Sequence, residues 1–423
     1  MNVEIITVGD ELLLGQTTDT NSAWMGLELA RNGFAVSHKA AISDEPQALR
    51  DALDAALARC QIVLVTGGLG PTLDDRTKPT LAEYFGVPLK LHEPTLNAVR
   101  AYFDRRGLPF LEVNRLQAEL PDGPGTAILP NPLGTAQGMW FERGGAVVVS
   151  MPGVPHEMKG LMTDEVIPRL MERFERPFRY HRTLLCFGRG ESYLSQLLGD
   201  WETGLADRGV GLAYLPSFGQ VRVRLSAVGS DEAAVRTLVD GCVEEAAVLL
   251  ASHVASTRFE HAAEGVAAAL EEAGLQLAVA ESFTGGAIAS TLTHVPGASR
   301  WFRGGLVAYT EAVKESQLGV PAAMLAEHTA VSAPVAEAMA RAVRERLGAD
   351  WAVATTGYAG PGSEPEVGTA FISVAGPTGA TTTKEFHWGR SREVNIQRGV
   401  TEALHLIWSQ LRQANEDCQK KVV

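Results

Sequence analysis

Residues 62–77 read Ile-Val-Leu-Val-Thr-Gly-Gly-Leu-Gly-Pro-Thr-Leu-Asp-Asp-Arg-Thr. Ile62–Val65 is a short apolar run of the kind that forms a buried strand, and Thr66-Gly67-Gly68-Leu69-Gly70-Pro71-Thr72 ends it in a glycine turn. The same grammar recurs on either side. Val3–Val8 stops at Gly9, and Ala146–Val149 runs into Met151-Pro152-Gly153-Val154-Pro155 ahead of another helix. Asp44-Glu45-Pro46 starts a helix whose Leu49, Leu53, Leu57 and Cys60 form one apolar stripe. Strand, glycine turn and helix in repetition predict a parallel sheet with crossover helices. Such sheets bind ligands beyond the carboxyl ends of their strands.

Two glycine-centred loops fall at those ends. One is Gly9-Asp10-Glu11-Leu12-Leu13-Leu14-Gly15 with Asp19-Thr20-Asn21, and the other holds Gly67, Gly68, Gly70 and Thr72. Clustered glycines let backbone N–H groups approach phosphate oxygens, and a following helix N-terminus favours the anion. Asp74 and Asp75 are candidate ligands for a divalent ion bridging a pyrophosphate. The alternative reading is structural: tight turns, with the aspartates capping the next helix. Neither loop is a Walker A or a dinucleotide fingerprint.

Further along, a break falls at Phe174-Glu175-Arg176-Pro177. The next stretch holds Arg182–Phe187, a helix-like Ser192–Leu198 and the alternating run Val221–Ala227, which reads as a strand with one solvent face. Asp231–Leu250 is an amphipathic helix. From about Thr257 the α/β pattern returns, with strands expected near Leu275–Ala280, Leu306–Tyr309, Trp351–Thr355 and Ala370–Ala375. The fold class is therefore α/β: two three-layer α/β domains, residues 1–174 and 256–415, joined by a small α+β domain, residues 175–255. Residues 416–423 are a tail, and the polar chain after Gln413 is expected to fray.

The second α/β region carries its own chemistry. Ser282 follows Leu275–Ala280 and precedes Gly285-Gly286 and the helix-like Ala287–Thr293. A serine at a strand-to-helix turn is exposed beside free N–H groups that can hold an oxyanion. Lys314 is a candidate base, because an ammonium loses its proton when desolvated and a guanidinium does not. The chain has eight lysines against 29 arginines, and between Thr257 and Asn415 only Lys314 and Lys384 occur. The bland alternatives are that Ser282 caps a helix and Lys314 is a solvated helix residue. Tyr309 either orients Lys314 or is a strand residue whose hydroxyl finds another partner. Trp301-Phe302 reads as packing, and His294, His328 and His387 as packing or surface groups.

Composition narrows the function classes. The 423 residues are 45% hydrophobic and 21% charged, ordinary values for a globular protein of two or three domains. A net charge of −13 argues against nucleic acid, whose binding rests on cationic contacts to phosphate. Cys60, Cys186, Cys242 and Cys418 lie too far apart in sequence for a metal-ligand pattern or a disulfide framework, and a reducing cytoplasm suits them. No apolar run reaches the length of a membrane span, and the N-terminus lacks a basic signal region.

The segments Ala280–Gly286, Val295-Pro296-Gly297-Ala298-Ser299, Tyr309 with Lys314, and Thr356-Gly357-Tyr358-Ala359-Gly360-Pro361 resemble the C-terminal domain of the CinA (competence/damage-inducible) family. That domain is similar to stand-alone nicotinamide mononucleotide (NMN) deamidases. The glycine loops, Asn114, Gln117, Asn131, Gly134-Thr135-Ala136 and Pro152–Met158 resemble the family's N-terminal domain, similar to the molybdopterin-adenylylating fold and associated with metal-dependent cleavage of ADP-ribose. Gly188–Ser192 and Ala213–Pro216 fit its middle domain, likened to an RNA-binding KH unit; no Gly-x-x-Gly loop with flanking basic residues supports RNA binding here.

The resemblance implies two activities. Ser282 would attack the amide of NMN with Lys314, assisted by Tyr309, moving the proton, and an N–H near Gly297 or Ser282 would hold the oxyanion. The Thr356–Gly362 loop (Thr356, Gly357, Gly360) and Arg392 or Arg398 would bind the nucleotide. Gly67, Gly68, Gly70, Thr72, Asn21 and Glu157 would bind ADP-ribose, with Mg or a similar divalent metal on Asp74 or Asp75. No cofactor is expected at the C-terminal site, and a cytoplasmic homodimer is implied. One departure stands out: members usually carry Gly-x-Arg-x-x-x-Arg before the last helix, and here Arg392 fits while Ile396 takes the second place. Rival readings are a regulatory nucleotide-binding protein with one site inactive, or nucleotidyl transfer to a pterin by the N-terminal domain.

Overall fold

The computed structural model describes residues 2–72, 74–361 and 367–422, with the backbone alone beyond Asn415. The chain divides into two compact units, Met1–Tyr180 with Val228–Val235, and His181–Ala227 with Arg236–Val423.

The first unit contains β1 (Asn2–Val8), β2 (Ala35–Ile42), β3 (Ile62–Thr66), β4 (Leu89–Leu91), β5 (Glu119–Pro121), β6 (Thr126–Leu129), β7 (Gly138–Arg143) and β8 (Ala146–Met151). β4 and β5 pair with each other; the remaining six form one sheet in the order β2-β1-β3-β8-β7-β6. β2, β1, β3 and β8 are parallel, whereas β7 and β6 are antiparallel additions. The three strands expected from the glycine-turn pattern, β1, β3 and β8, are parallel neighbours as expected, and β7 and β6 extend the sheet into a mixed one. β6, β7 and β8 lie close in sequence, and short connections permit only antiparallel neighbours. Alternation sorts the core. Val3, Ile5, Ile62 and Leu64 meet Met25 and Leu29 of helix Thr20–Arg31 on one face. Ile6, Val8, Val63 and Val65 meet Leu49 and Leu53 of helix Pro46–Leu57 on the other.

In the middle of the chain β9 (Phe178–Phe187), β10 (Val210–Ser217), β11 (Gln220–Gly229) and β12 (Val254–Ser256) form a separate sheet in the order β10-β11-β9-β12. Val221, Val223, Leu225 and Ala227 of β11 are buried and their neighbours are not, the expected one-sided pattern.

The C-terminal sheet has the order β14-β13-β15-β16-β17, from β13 (Leu277–Glu281), β14 (Phe302–Val307), β15 (Trp351–Gly357), β16 (Thr369–Ala375) and β17 (Thr381–His387). β14, β13 and β15 are parallel; β16 and β17 return antiparallel. Leu277 and Val279 pack toward helices Ala262–Ala273, Ala287–Thr293 and Arg392–Val422. Ala278 and Ala280 pack toward helices Glu311–Leu318, Ala322–His328 and Ala333–Leu347. The layers are therefore helix, sheet, helix.

Two local expectations change. The strand placed at Leu306–Tyr309 is Phe302–Val307, and Tyr309 lies in the following loop. Edge-strand burial alternates there, which hides the strand from a search for continuous apolar runs. The segment expected to fray continues as helix to Val422. Trp301 is core, 1% exposed. Cys60, Cys186 and Cys242 are buried free thiols; Cys418 lies outside the described side chains.

Candidate functional sites

Parallel pairing aligns the carboxyl ends of three strands, with Glu281 opposite Val307 on one side and Thr355 on the other. Ser282 follows directly, and alternation gives it the face of Ala278 and Ala280, toward the helix of Lys314. Ser282 is 7% exposed and Lys314 1%. Lys314 Nζ donates to Ser282 Oγ at 2.8 Å and to the Ala308 carbonyl at 3.1 Å. Among the described residues no carboxylate pairs with Lys314. Burial pushes its ammonium below the ordinary 10.5, and the charge of Glu311 works in the opposite sense. The scarce lysine is thus a desolvated amine on a serine hydroxyl, and the solvated-residue reading fails.

The capping alternative for Ser282 fails as well. Helix Ala287–Thr293 begins at Gly286, and the Glu281 side chain, 1% exposed, accepts from the amides of Gly286, Ile288 and Ala289 at 2.8–3.0 Å. A carboxylate on orphan N–H groups is a strong helix-end partner. Glu281 therefore fixes the turn that presents Ser282, a role its place in Ala-Glu-Ser did not disclose.

A cavity of about 370 Å³ opens over this pair, lined by Ser282, Phe283, Tyr309, Glu311, Lys314, Thr356, Gly357, Gly360 and Arg392 among others. Arg392 donates to the Gly360 carbonyl at 3.1 Å and to the Tyr309 hydroxyl at 2.6 Å. Tyr309 thus engages Arg392 through its ring hydroxyl, and its own carbonyl lies 3.5 Å from Ser282 Oγ. Asn395, fully buried, was missed by the sequence reading; its side-chain amide holds the carbonyls of Ala359 and Arg390, which ties the glycine loop to the start of the last helix. Gly357 is required by close approach: a Cβ there would meet the Phe283 ring and the Thr369 carbonyl at 2.6 Å.

Three expected participants lie elsewhere or are engaged. Gly297 does not line this cavity; it starts the turn Ala298–Arg300, its Cα facing Arg300. The Ser282 amide donates to the Thr355 carbonyl at 3.0 Å and is not available to an oxyanion. Arg398, two turns into the helix, does not line the cavity, while Ile396 fills an apolar cluster with Phe283, Ala359, Ala370 and Trp388. Gly362 lies outside the described residues.

The depressed Lys314 pKa makes a thermodynamic prediction. Between the folded value and 10.5 the unfolded chain binds the extra proton, so stability contributed at this position rises with pH. Relative to Lys314→Met, wild type is expected to gain stability from pH 7 toward pH 10, read as a converging or crossing of urea midpoints.

In the first unit a cavity of about 430 Å³ sits at the carboxyl ends of β1, β3 and β8, lined by Gly67, Gly68, Gly70, Asp44, Asp74, Asp75, Glu11 and Glu157 among others. Gly67 has φ +113°, and a Cβ there would strike the Val8 carbonyl at 2.2 Å. Asp75 accepts from the Thr72 amide at 3.1 Å and from its hydroxyl, and lies against Gly70, so it closes the loop on itself. Asp74 is exposed, and hydrogen bonds, first from Thr72, hold it below the usual carboxylate range. Asn21 donates to the Gly153 carbonyl at 2.7 Å, and Glu157 accepts from Asn131 at 2.6 Å.

Asp44, which in sequence marks a helix start, is a carboxylate of this cavity. Burial raises its pKa, and the charges of Asp10, Glu11 and Asp74 raise it further against the Asp10 amide bond. Like charges gathered at a cavity mouth suit a hard divalent ion that keeps most of its waters, as Mg does. The described carboxylates here are not packed into a dry three-ligand cage. Among the described residues the trio within ligand range is Glu4, His38 and Cys60, and there Arg59 already occupies Glu4 with two N–H donors at 2.7 and 2.9 Å. Lys78, another of the eight lysines, is pushed down to about 8 by burial, against Glu119 and Asp75. Scarcity of lysine could have pointed to it.

Among the described residues no helix is long and apolar enough to cross a membrane. Three families match the chain in succession: the probable molybdopterin binding domain over residues 4–172, the damage-inducible protein CinA KH domain over 181–254, and the CinA C-terminal domain over 259–411. The CinA-like protein of Flavobacterium psychrophilum is 39% identical over 419 residues, covering 97% of this chain and 99% of its own. That of Salinibacter ruber is 41% identical over 381 residues, covering 89% and 91%. A solved structure, the protein CinA with unknown function from Thermoplasma acidophilum, is 34% identical, covers 40% of this chain and 97% of its own, and has a TM-score of 0.36. With matches of this identity running nearly end to end, the chain belongs to the CinA family.

Proposed function

We propose that this chain is a two-site hydrolase of nicotinamide-nucleotide turnover, whose C-terminal site converts NMN to nicotinic acid mononucleotide and ammonia. The observation that carries this reading is the buried 2.8 Å contact between Lys314 Nζ and Ser282 Oγ with, among the described residues, no carboxylate on the amine. Neutral Lys314 takes the Ser282 proton as Oγ attacks the amide carbon, then returns it to the departing ammonia. Water, deprotonated by the same amine, then attacks the acyl carbon, and the proton passes from Lys314 to Ser282 Oγ as the C–Oγ bond breaks and the acid leaves. The Phe283 amide is our candidate oxyanion donor, because it follows the nucleophile, lines the cavity and makes no hydrogen bond among the described residues. Arg392 would hold the phosphate, its guanidinium fixed by the Gly360 carbonyl and the Tyr309 hydroxyl. The test is direct: purified chain and NMN, with ammonia and nicotinic acid mononucleotide measured. Absence of both products over many enzyme equivalents sinks the reading.

For the N-terminal cavity we propose divalent-metal-dependent hydrolysis of ADP-ribose at its pyrophosphate. Asp44 and Asp74, with Glu11 and Asp10 nearby, would hold the ion, which when bound supplies positive charge to the pyrophosphate. Gly67 and Gly68 would let the backbone approach the pyrophosphate, and Asp75 keeps their loop closed through Thr72. Asp44→Asn is expected to raise the Mg concentration needed for half-maximal ADP-ribose cleavage by about 10–100-fold, leaving ammonia release from NMN unchanged. An unaltered Mg dependence would remove Asp44 from the site.

A further inference from the structure

The lining of the cavity over Ser282 carries charge of both signs. Arg392 supplies the positive charge, fastened to the Tyr309 hydroxyl and the Gly360 carbonyl. The negative charge is Glu311, in the first turn of helix Glu311–Leu318, three residues before Lys314 and therefore on the same side of the helix. Its carboxylate is exposed and makes no ion pair among the described residues.

That carboxylate is a poor choice for the amide chemistry taken alone. A negative charge near Lys314 favours the protonated amine, which is the inactive form of a base. It also opposes the negative charge that builds on the carbonyl oxygen during attack. The helix start does not require it, since the Thr310 hydroxyl already accepts from the Val313 amide. A negative group kept at the reacting end of a cavity makes sense when the ligand brings a positive charge to that place. Tyr309 and Tyr358 are also among the residues that line the cavity, and aromatic rings attract cations in the same way.

We propose that Glu311 is a specificity-determining residue that selects amides borne on a cationic ring, an N-substituted pyridinium carboxamide whose anionic group reaches Arg392. This rests on the amidase reading and narrows its substrate class to the oxidised, charged form of the nucleotide. The reduced form has the same amide and phosphate on a neutral ring, and it lacks the partner for Glu311.

Wild-type chain is first tested for ammonia release from NMN; no release overturns the amidase reading itself. Affinities for NMN and for reduced NMN are then measured by calorimetry at low salt on a Ser282→Ala background, with and without E311Q. The expected result is that E311Q lowers the preference for the oxidised ligand by about fivefold, the upper end for an exposed charge pair, with reduced NMN bound as before. E311D, which keeps the charge, is expected to keep the preference. An unchanged ratio in E311Q, or equal weakening of both ligands, overturns the proposal while leaving the amidase reading in place.

Discussion

Ser282→Ala is expected to cut ammonia release from NMN by at least about 10³-fold, the scale on which a covalent nucleophile is lost, in a chain that unfolds as wild type does. The fold should survive because the hydroxyl makes few structural bonds. Its contacts are Lys314 Nζ and the Tyr309 carbonyl, whereas the turn itself is held by the Ser282 amide on Thr355 and by the Glu281 carboxylate. The Lys314 amine keeps its bond to the Ala308 carbonyl. NMN affinity should remain within a few-fold, since Arg392 and the Gly357–Gly360 loop are untouched. Turnover within about tenfold of wild type, roughly 1.4 kcal/mol of barrier, would show that Ser282 is not the nucleophile. A water activated by Lys314 would then be the better mechanism.

Lys314→Arg is expected to lower turnover on the order of 10²–10⁴-fold with NMN affinity largely kept. The substitution preserves positive charge but removes the ability to lose a proton near neutral pH. It also asks a planar, larger head to fit a site with 1% exposure, so folding must be checked by thermal melts of both proteins. Wild-type turnover should rise with pH and level off at a pH below 10.5, because burial depresses the amine pKa. The arginine variant should lose that limb. Near-normal turnover in a folded variant would leave Ser282 without a base and would reduce Lys314 to a fixed cation.

The short-range information in the chain was sufficient for much of the architecture. Ile62–Val65 ending in glycine, and Leu277–Ala280 ending in Glu-Ser, are local patterns, and local patterns set strands, turns and the period-two sorting of faces. From that alone Ser282 could be placed at a strand end with a helix following at Ala287. The scarcity of lysine marked Lys314 as unusual. Edge strands were less legible: Phe302–Val307 and Thr381–His387 bury only part of each face, so their apolar signal is diluted by solvent-facing residues.

What only the tertiary structure decided were distances and dielectric. Ser282 and Lys314 stand 32 residues apart, and they meet because β14 pairs beside β13 in a register that sets Val307 opposite Glu281. Pairing register is a property of two segments together, and neither sequence states it. The same holds for burial. The amine is desolvated by its burial, 1% exposed and bonded to the Ala308 carbonyl, so its lowered pKa belongs to the assembled core and not to the residue. Tertiary contacts likewise put Gly297 outside the cavity, turned the Ser282 amide onto Thr355, and bound Asp75 into its own loop while drawing Asp44 toward Asp74. Residue type and spacing name the groups capable of chemistry; the packing of distant segments decides which of them face one another without water between.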